Sequence, residues 1–322
     1  MRFFIRPACA SSTLVIGGAG YIGSHLVPML QASGRQVTIL GRGPKSEYVL
    51  PEGVVYVQGD LGSLNLLQGL LDRHSEVIHL AYATVPNTSF DNPLADLLQN
   101  LPSTLQLFYE VAIRNRKLLL VSSGGTVYGE AMMLPILENH PVKPISPYGV
   151  TKLTLENYAH LYSVTHGLRY VCVRPSNAYG VGQKPFTGQG FISTAIASSI
   201  LGKSIRILGR NGTIRDYIYV SDLAAGIISA LDQGGLGETY NLGSGVGMSN
   251  LEVIEAITPL MHKIGCDVNV SHLPERAFDV NANVLNSSKL QSDTGWSISV
   301  NLIDGLMATR DWLESLLSNA KN

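Results

Sequence analysis

The sequence predicts an α/β fold: a doubly wound parallel sheet carrying a smaller, interleaved C-terminal α/β lobe. Three observations predict it. Short β-branched runs alternate with longer helical patterns through the first half, the first run feeds a glycine-rich turn, and Gly- and Pro-containing loops take over after Ser176. Strand–helix alternation with short links implies a parallel sheet with helices on both faces. Thr13–Ile16, Gln36–Leu40, Val54–Gln58, Val77–Leu80, Leu118–Ser122 and Tyr170–Arg174 read as strands, and several are apolar nearly throughout, as strands buried on both faces must be. Tyr21–Ala32, Pro93–Arg114 and Tyr148–His166 read as helices.

Beyond Gly190 the chain reads as a helix, Phe191–Leu201, and then a hairpin-like stretch around Gly209–Gly212. Tyr217–Ala230 and the short strand Thr239–Leu242 look like core elements again. The lobes therefore interleave: 1–174 with 218–244 form the first, and 175–217 with 245–322 the second. Two lobes also suit the length, since 322 residues exceed what one core usually serves.

Composition narrows the function classes. Hydrophobic residues at 45% and charged residues at 15% fit a well-buried globular chain, not a disordered one. A net charge of −1 without runs of like charge gives a nucleic-acid surface no electrostatic support. No apolar stretch reaches the ~18 residues a membrane helix needs. Met1–Ser12 lacks a signal core and reads as a loose leader. Cys9, Cys172 and Cys266, sparse and odd in number, suit a reducing cytoplasm, with Cys172 a core residue. His160 and His166 fall on different faces of their helix, and no cluster has metal-ligand spacing, so no metal site is expected.

Gly17, Gly20 and Gly23 follow a strand and open an amphipathic helix, the setting a Rossmann-type dinucleotide turn requires. Gly17 permits the tight turn, Gly20 lets the backbone approach a pyrophosphate, and Gly23 lets the helix pack closely. The helix N-terminus, with Tyr21 and Ile22, offers free N–H groups and a positive dipole end to the phosphates. The end of the second strand sets cofactor preference, and there the chain has Gly41 and Arg42 where an acidic residue would bind ribose hydroxyls. Arg42 either holds a 2′-phosphate or points into solvent, and both readings stand at this point. Asp60, just past the third strand, is placed to meet the adenine amino group.

Tyr148 and Lys152 stand in SPYGVTK at the start of a long helix, and a separation of four puts both on one face. A free Tyr titrates near pH ~10. A neighbouring ammonium and an oxidised nicotinamide ring would favour its phenolate and fit it for proton abstraction. The fifth strand ends in VSSGGTVYG, where a hydroxyl would sit across the pocket from Tyr148.

At this point the chain resembles the extended short-chain dehydrogenase/reductase superfamily, in particular its nucleotide-sugar epimerases and dehydratases, with the UDP-glucose 4-epimerase branch nearest. The resemblance covers about residues 13 to 315 and is carried by GGAGYIGSH, GDL, HLAY, SSGGTVYGE, SPYGVTK, RPSNAYGVGQ, RDYIYVSDLA and NLGSG. It implies inversion at C4 of a UDP-hexose or UDP-N-acetylhexosamine through a transient 4-keto sugar, with tightly bound NAD. NADP is left open by Arg42. It adds Leu61, Leu80, Ala81 and Tyr82 to the cofactor site. It implies that Tyr148 takes the C4 hydroxyl proton and that Lys152 bonds the nicotinamide ribose. Asn177, Arg215 and Arg276 would hold the sugar diphosphate, and Phe191 would pack on the uracil. It also implies a cytoplasmic homodimer built on the helices Pro93–Arg114 and Tyr148–His166.

The chain departs from this family at three places. The family's catalytic Ser or Thr aligns with Gly124, so Ser123 or Thr126 must supply the hydroxyl, with Ser123 favoured. Arg42 replaces the acidic residue. Asn283, placed by its distance from Arg276, stands where a Tyr gates enzymes restricted to plain hexoses, and a smaller residue leaves room for a 2-acetamido group. Gly125 and Thr126 replace the Asp-Glu pair of the 4,6-dehydratases, which disfavours that branch. An NADPH-dependent 4-ketosugar-nucleotide reductase of deoxysugar biosynthesis is the alternative.

Overall fold

The computed structural model describes residues 11–274 and 280–319. Seven parallel strands form the central sheet: β1 (Ser12–Ile16), β2 (Gln36–Gly41), β3 (Val55–Gln58), β4 (Glu76–His79), β5 (Lys117–Val121), β6 (Arg169–Pro175) and a later strand, Thr239–Leu242. Their order is β3-β2-β1-β4-β5-β6, with Thr239–Leu242 added beside β6. The direction of winding reverses between β1 and β4, and in open α/β sheets ligands bind at that crevice.

Alternation along each strand feeds two cores. Val15, Leu119, Val171 and Val173 join the layer covered by the helices Tyr21–Ala32 and Val220–Gln233. Leu14, Ile16, Leu118, Leu120 and Cys172 join the opposite layer, under Leu107, Phe108 and Val111 of the helix Pro93–Ile113 and Ala159 of the helix Pro147–His166. Burial on both faces is why these strands read as continuous apolar runs.

The second lobe has its own core, in which Ile192 and Ile196 of the helix Phe191–Ile200 meet Val253 and Ile257 of the helix Asn250–His262 and Leu306 and Leu313 of the helix Leu302–Asn319. Its strands are β7 (Asn177–Tyr179), β8 (Ile205–Leu208) and β9 (Ile214–Tyr219), then, past the Thr239–Leu242 strand (β10), β11 (Gly247–Ser249), β12 (Val270–Leu273) and β13 (Ala282–Asn283). Gly209–Gly212 is not a hairpin turn, which corrects the sequence expectation. β8 pairs in parallel with β12, and β9 pairs antiparallel with β11 and in parallel with β7 and β13. The stretch Tyr217–Ala230 is likewise two elements, since β9 ends at Tyr219 and the helix begins at Val220. The apolar runs on both sides of Ser221 and Asp222 hid the change of period.

Candidate active site

A cleft of about 890 Å³ opens where β1, β4, β5 and β6 end. Its walls bring together Tyr21, Ile22, Leu80, Tyr82, Ser123 and Thr126 with Tyr148, Lys152, Asn177, Phe191 and Arg215. Residues far apart in sequence thus meet in one space.

The glycine turn fits a dinucleotide pyrophosphate. Gly17 has φ +83°, and a Cβ there would lie 2.6 Å from the backbone nitrogen of Ala81, so the first turn runs directly against the strand-end loop after β4. Gly23 is closed off too, its missing Cβ lying 2.2 Å from Gly18 O. Gly20 differs: a Cβ would meet only Gly17 O at 3.5 Å, which leaves its outer face open. No side chain caps the helix that Gly20 begins. Its first N–H groups therefore remain available for an anion. Arg42 is exposed at the end of β2, and Asp60, exposed beyond β3, accepts from the Gly62 N–H at 2.8 Å. Leu61 packs partly buried on the core beneath. None of these three lines the cleft.

The helix carrying the reactive pair starts at Pro147, and Ser146 caps it by accepting from Gly149 N at 3.1 Å. Lys152, 5% exposed, donates from Nζ to Val121 O at 2.9 Å, and its ammonium lies 4.1 Å from the Tyr82 ring centroid and 5.6 Å from that of Tyr148. Burial lowers its pKa to about 8, against the pull of Cys172, Glu156 and Asp96. The Tyr148 phenol is pushed well above its ordinary value, first by burial and then by Asp96, while a hydrogen bond from Ser123 pulls it down. Among the protein's own groups burial outweighs the rest, and the oxidised nicotinamide ring that the expectation pairs with the ammonium would act on top of them.

The hydroxyl question is sharpened by Gly124. A Cβ there would lie 2.4 Å from Leu285 Cδ1 and 2.8 Å from Arg174 O, so the position has no space for a serine. Ser123, at the N-cap of the short helix Gly124–Val127, lines the cleft with Tyr148 and favours its phenolate. Thr126 Oγ1 is buried without a hydrogen-bond partner among the described residues, and Thr126 lines the same cleft. Both candidate hydroxyls are thus present, in different situations.

Asn283 is 2% exposed on β13 and donates from Nδ2 to Gly124 O at 3.0 Å, so it supports the backbone under the reactive loop. Arg276 lies outside the described residues. Asn177 on β7 and Arg215 on β9 both face the cleft. Sequence reasoning missed Arg206, Thr213 and Asn250, which line the far end; there Thr213 N donates to Asn250 Oδ1 at 3.0 Å. They stand on three separate elements, and no local spacing announces them.

Among the described residues, no group of three or more His, Cys, Asp or Glu is placed to hold a metal, and no helix is long and apolar enough to cross a membrane.

Comparison with known proteins agrees with this geometry. The putative UDP-glucose 4-epimerase of Methanocaldococcus jannaschii is 32% identical over 94% of this chain and 98% of its own. A UDP-glucose 4-epimerase from Thermotoga maritima, solved with UDP-glucose, superposes with a TM-score of 0.89 at 28% identity, covering 95% of this chain and 99% of that one. A UDP-N-acetylglucosamine 4-epimerase from Methanobrevibacter ruminantium, solved with UDP-N-acetylmuramic acid, gives 0.87 at 27% identity, covering 95% and 99%. The model of the NAD dependent epimerase/dehydratase family matches residues 13–243, and the chain belongs to that family.

Proposed function

We infer that the protein is an NAD-dependent 4-epimerase of a UDP-linked hexose or N-acetylhexosamine. The observation that carries this reading is the meeting of Tyr148, Lys152 and Ser123 in one cleft with Asn177 and Arg215, beside an uncapped helix N-terminus behind Gly20. The cofactor is NAD, as the family is NAD-dependent. The reductase alternative, which leaned on Arg42 and the missing serine at 124, has no such support, since the relatives above are epimerases.

When bound, NAD supplies a reversible acceptor for the C4 hydrogen and its electron pair. The chain supplies the rest. Tyr148 takes the C4 hydroxyl proton, with Ser123 orienting the phenol and the reacting oxygen. Lys152, charged below pH ~8, would hold the cofactor ribose and favours the phenolate form in which Tyr148 takes the proton. Arg215 and Arg276 bind the diphosphate, for which the guanidinium fork suits better than an ammonium. Asn177 adds a hydrogen bond beside it and Phe191 an apolar wall for the base. The 4-keto sugar would then turn within the cleft to present its other face, and Tyr148 would return the proton to the C4 oxygen.

The same reading divides the lobes at 1–174 with 218–244 and 175–217 with 245–322. It also makes the protein a cytoplasmic homodimer joined through the helices Pro93–Ile113 and Pro147–His166. The test is turnover of UDP-glucose and UDP-N-acetylglucosamine without added cofactor, by wild type and by Tyr148→Phe. Wild type interconverts at least one pair, and Tyr148→Phe loses activity by at least about 10²-fold while retaining NAD. A wild type that converts neither sugar, yet consumes NADPH with a 4-keto sugar nucleotide, overturns the epimerase reading.

A further inference from the structure

Between the helix Pro93–Ile113 and the reactive pair lies a carboxylate that the mechanism above does not use. Asp96 is fully buried, and the hydrogen bonds its carboxylate accepts come from hydroxyls: Thr151 Oγ1 at 2.7 Å, the Tyr82 phenol at 3.3 Å, and Thr84. Thr151 immediately precedes Lys152, and Thr84 and Tyr82 belong to the loop leaving β4. The Tyr82 ring has two neighbours that matter. Its face carries the Lys152 ammonium at 4.1 Å, and it meets the Tyr148 ring edge-on, with centroids 4.7 Å apart and planes at 64°.

We propose that Asp96 is a positioning residue for the Tyr148/Lys152 pair, acting through the Tyr82 ring that it anchors and through its own charge. The inference rests on the catalytic reading of that pair. Tyr82 gives the buried ammonium an aromatic face, an attraction that strengthens when water is excluded. Asp96 fixes that face from below and, through Thr151, the helix turn that carries both reactive side chains.

The charge acts in one direction on both partners, since a nearby carboxylate favours the ammonium and disfavours the phenolate. The other groups facing the pair are Cys172 on β6, His79 on β4, Glu156 on the pair's own helix and Ser123 after β5. His79 is held neutral by burial, its pKa down to about 3. Glu156, engaged by Arg174 at 2.5 Å, also pulls on Lys152, but of the two carboxylates it is Asp96 that acts on Tyr148 as well.

The experiment uses NAD-loaded enzyme and UDP-glucose, with pH profiles of kcat/KM for Asp96→Asn, Tyr82→Phe, Tyr82→Leu and Tyr148→Phe. Removing the Asp96 charge lowers the pKa of base and ammonium alike, so both limbs of the profile move to lower pH, by about half a unit or more. Tyr82→Phe keeps the ring but loses its bond to Asp96 and lowers kcat by about 3-fold, whereas Tyr82→Leu loses the ring as well and lowers kcat by about tenfold or more. A profile for Asp96→Asn that drops in height with both limbs unmoved overturns the proposal, as does equal activity of the Phe and Leu variants. Should Asp96→Asn fail to fold, the Tyr82 pair decides alone. Turnover by Tyr148→Phe would instead defeat the catalytic reading itself, an outcome separate from these.

Discussion

Ser123 and Thr126 face the same space under opposite constraints. The Ser123 hydroxyl favours the Tyr148 phenolate, whereas Thr126 Oγ1 is buried with no partner among the described residues. A buried hydroxyl without a hydrogen bond costs about 1–3 kcal/mol, which a protein retains where a ligand atom will complete the bond. Thr126→Val should therefore hold or raise the unfolding free energy, by up to ~1 kcal/mol, while raising KM for the sugar nucleotide. Ser123→Ala should leave KM within ~3-fold and lower kcat by about 10–100-fold. Denaturant melts and steady-state kinetics read both. If Thr126→Val is destabilising and kinetically silent, the threonine is core packing. The sequence favours Ser123, but it could not show that the Thr126 hydroxyl is buried without a partner among the described residues. Gly124 shows the same limit: its lack of a side chain was legible, but Leu285 and Arg174 O filling the space behind it were not.

At the scale of elements, the first lobe was legible because its strands are buried on both faces and its helices carry their own stop and start signals. Val15 and Leu14 enter opposite cores, and that double burial is what makes the run LVI continuous in the sequence. The second lobe was less legible because its strands are short and pair with partners distant in the chain. β8 reaches across to β12, and the loop 209–212 between β8 and β9 resembles a hairpin only locally. Asn283 was only partly legible for a related reason: a position counted along a loop says nothing of the side of the backbone it faces, and β13 turns it towards Gly124. The glycine turn is the element whose chemistry survives intact, and it carries its own prediction. Gly17→Ala would place a side chain at φ +83° and 2.6 Å from Ala81 N. We expect a loss of about 1–3 kcal/mol in stability together with loss of co-purifying NAD, measured by denaturation and by mass spectrometry of the native protein. Full NAD content with unchanged stability would mean the turn can rearrange.

At the scale of the whole molecule, the outer faces of the two long helices remain to be accounted for. The helices Pro93–Ile113 and Pro147–His166 pack side by side on the sheet. Their outward faces expose Leu94, Leu98, Tyr109 and Ile113 on the first and Val150, Leu161 and Val164 on the second. Single exposed leucines mean little, but these positions recur at spacings that keep each set within about 100° of helical arc. A contiguous apolar stripe on two adjacent helices is large for a monomer surface. Burying each side chain against a second copy is favourable by about 1.5–3 kcal/mol, and two-fold pairing of helix pairs makes a four-helix packing of the usual kind. The nearest active-site group, Tyr148, begins the second helix, so the same contact would stiffen the turn that carries the reactive pair. Sedimentation of the wild type at micromolar concentration should give a dimer. Leu98→Glu with Val164→Glu should give a monomer, because two charges buried per copy cost more than the stripe returns. That monomer should keep its fold and bound NAD while losing part of kcat. A wild type that sediments as a monomer would leave the stripe without a partner and sever the link between assembly and the Tyr148 turn.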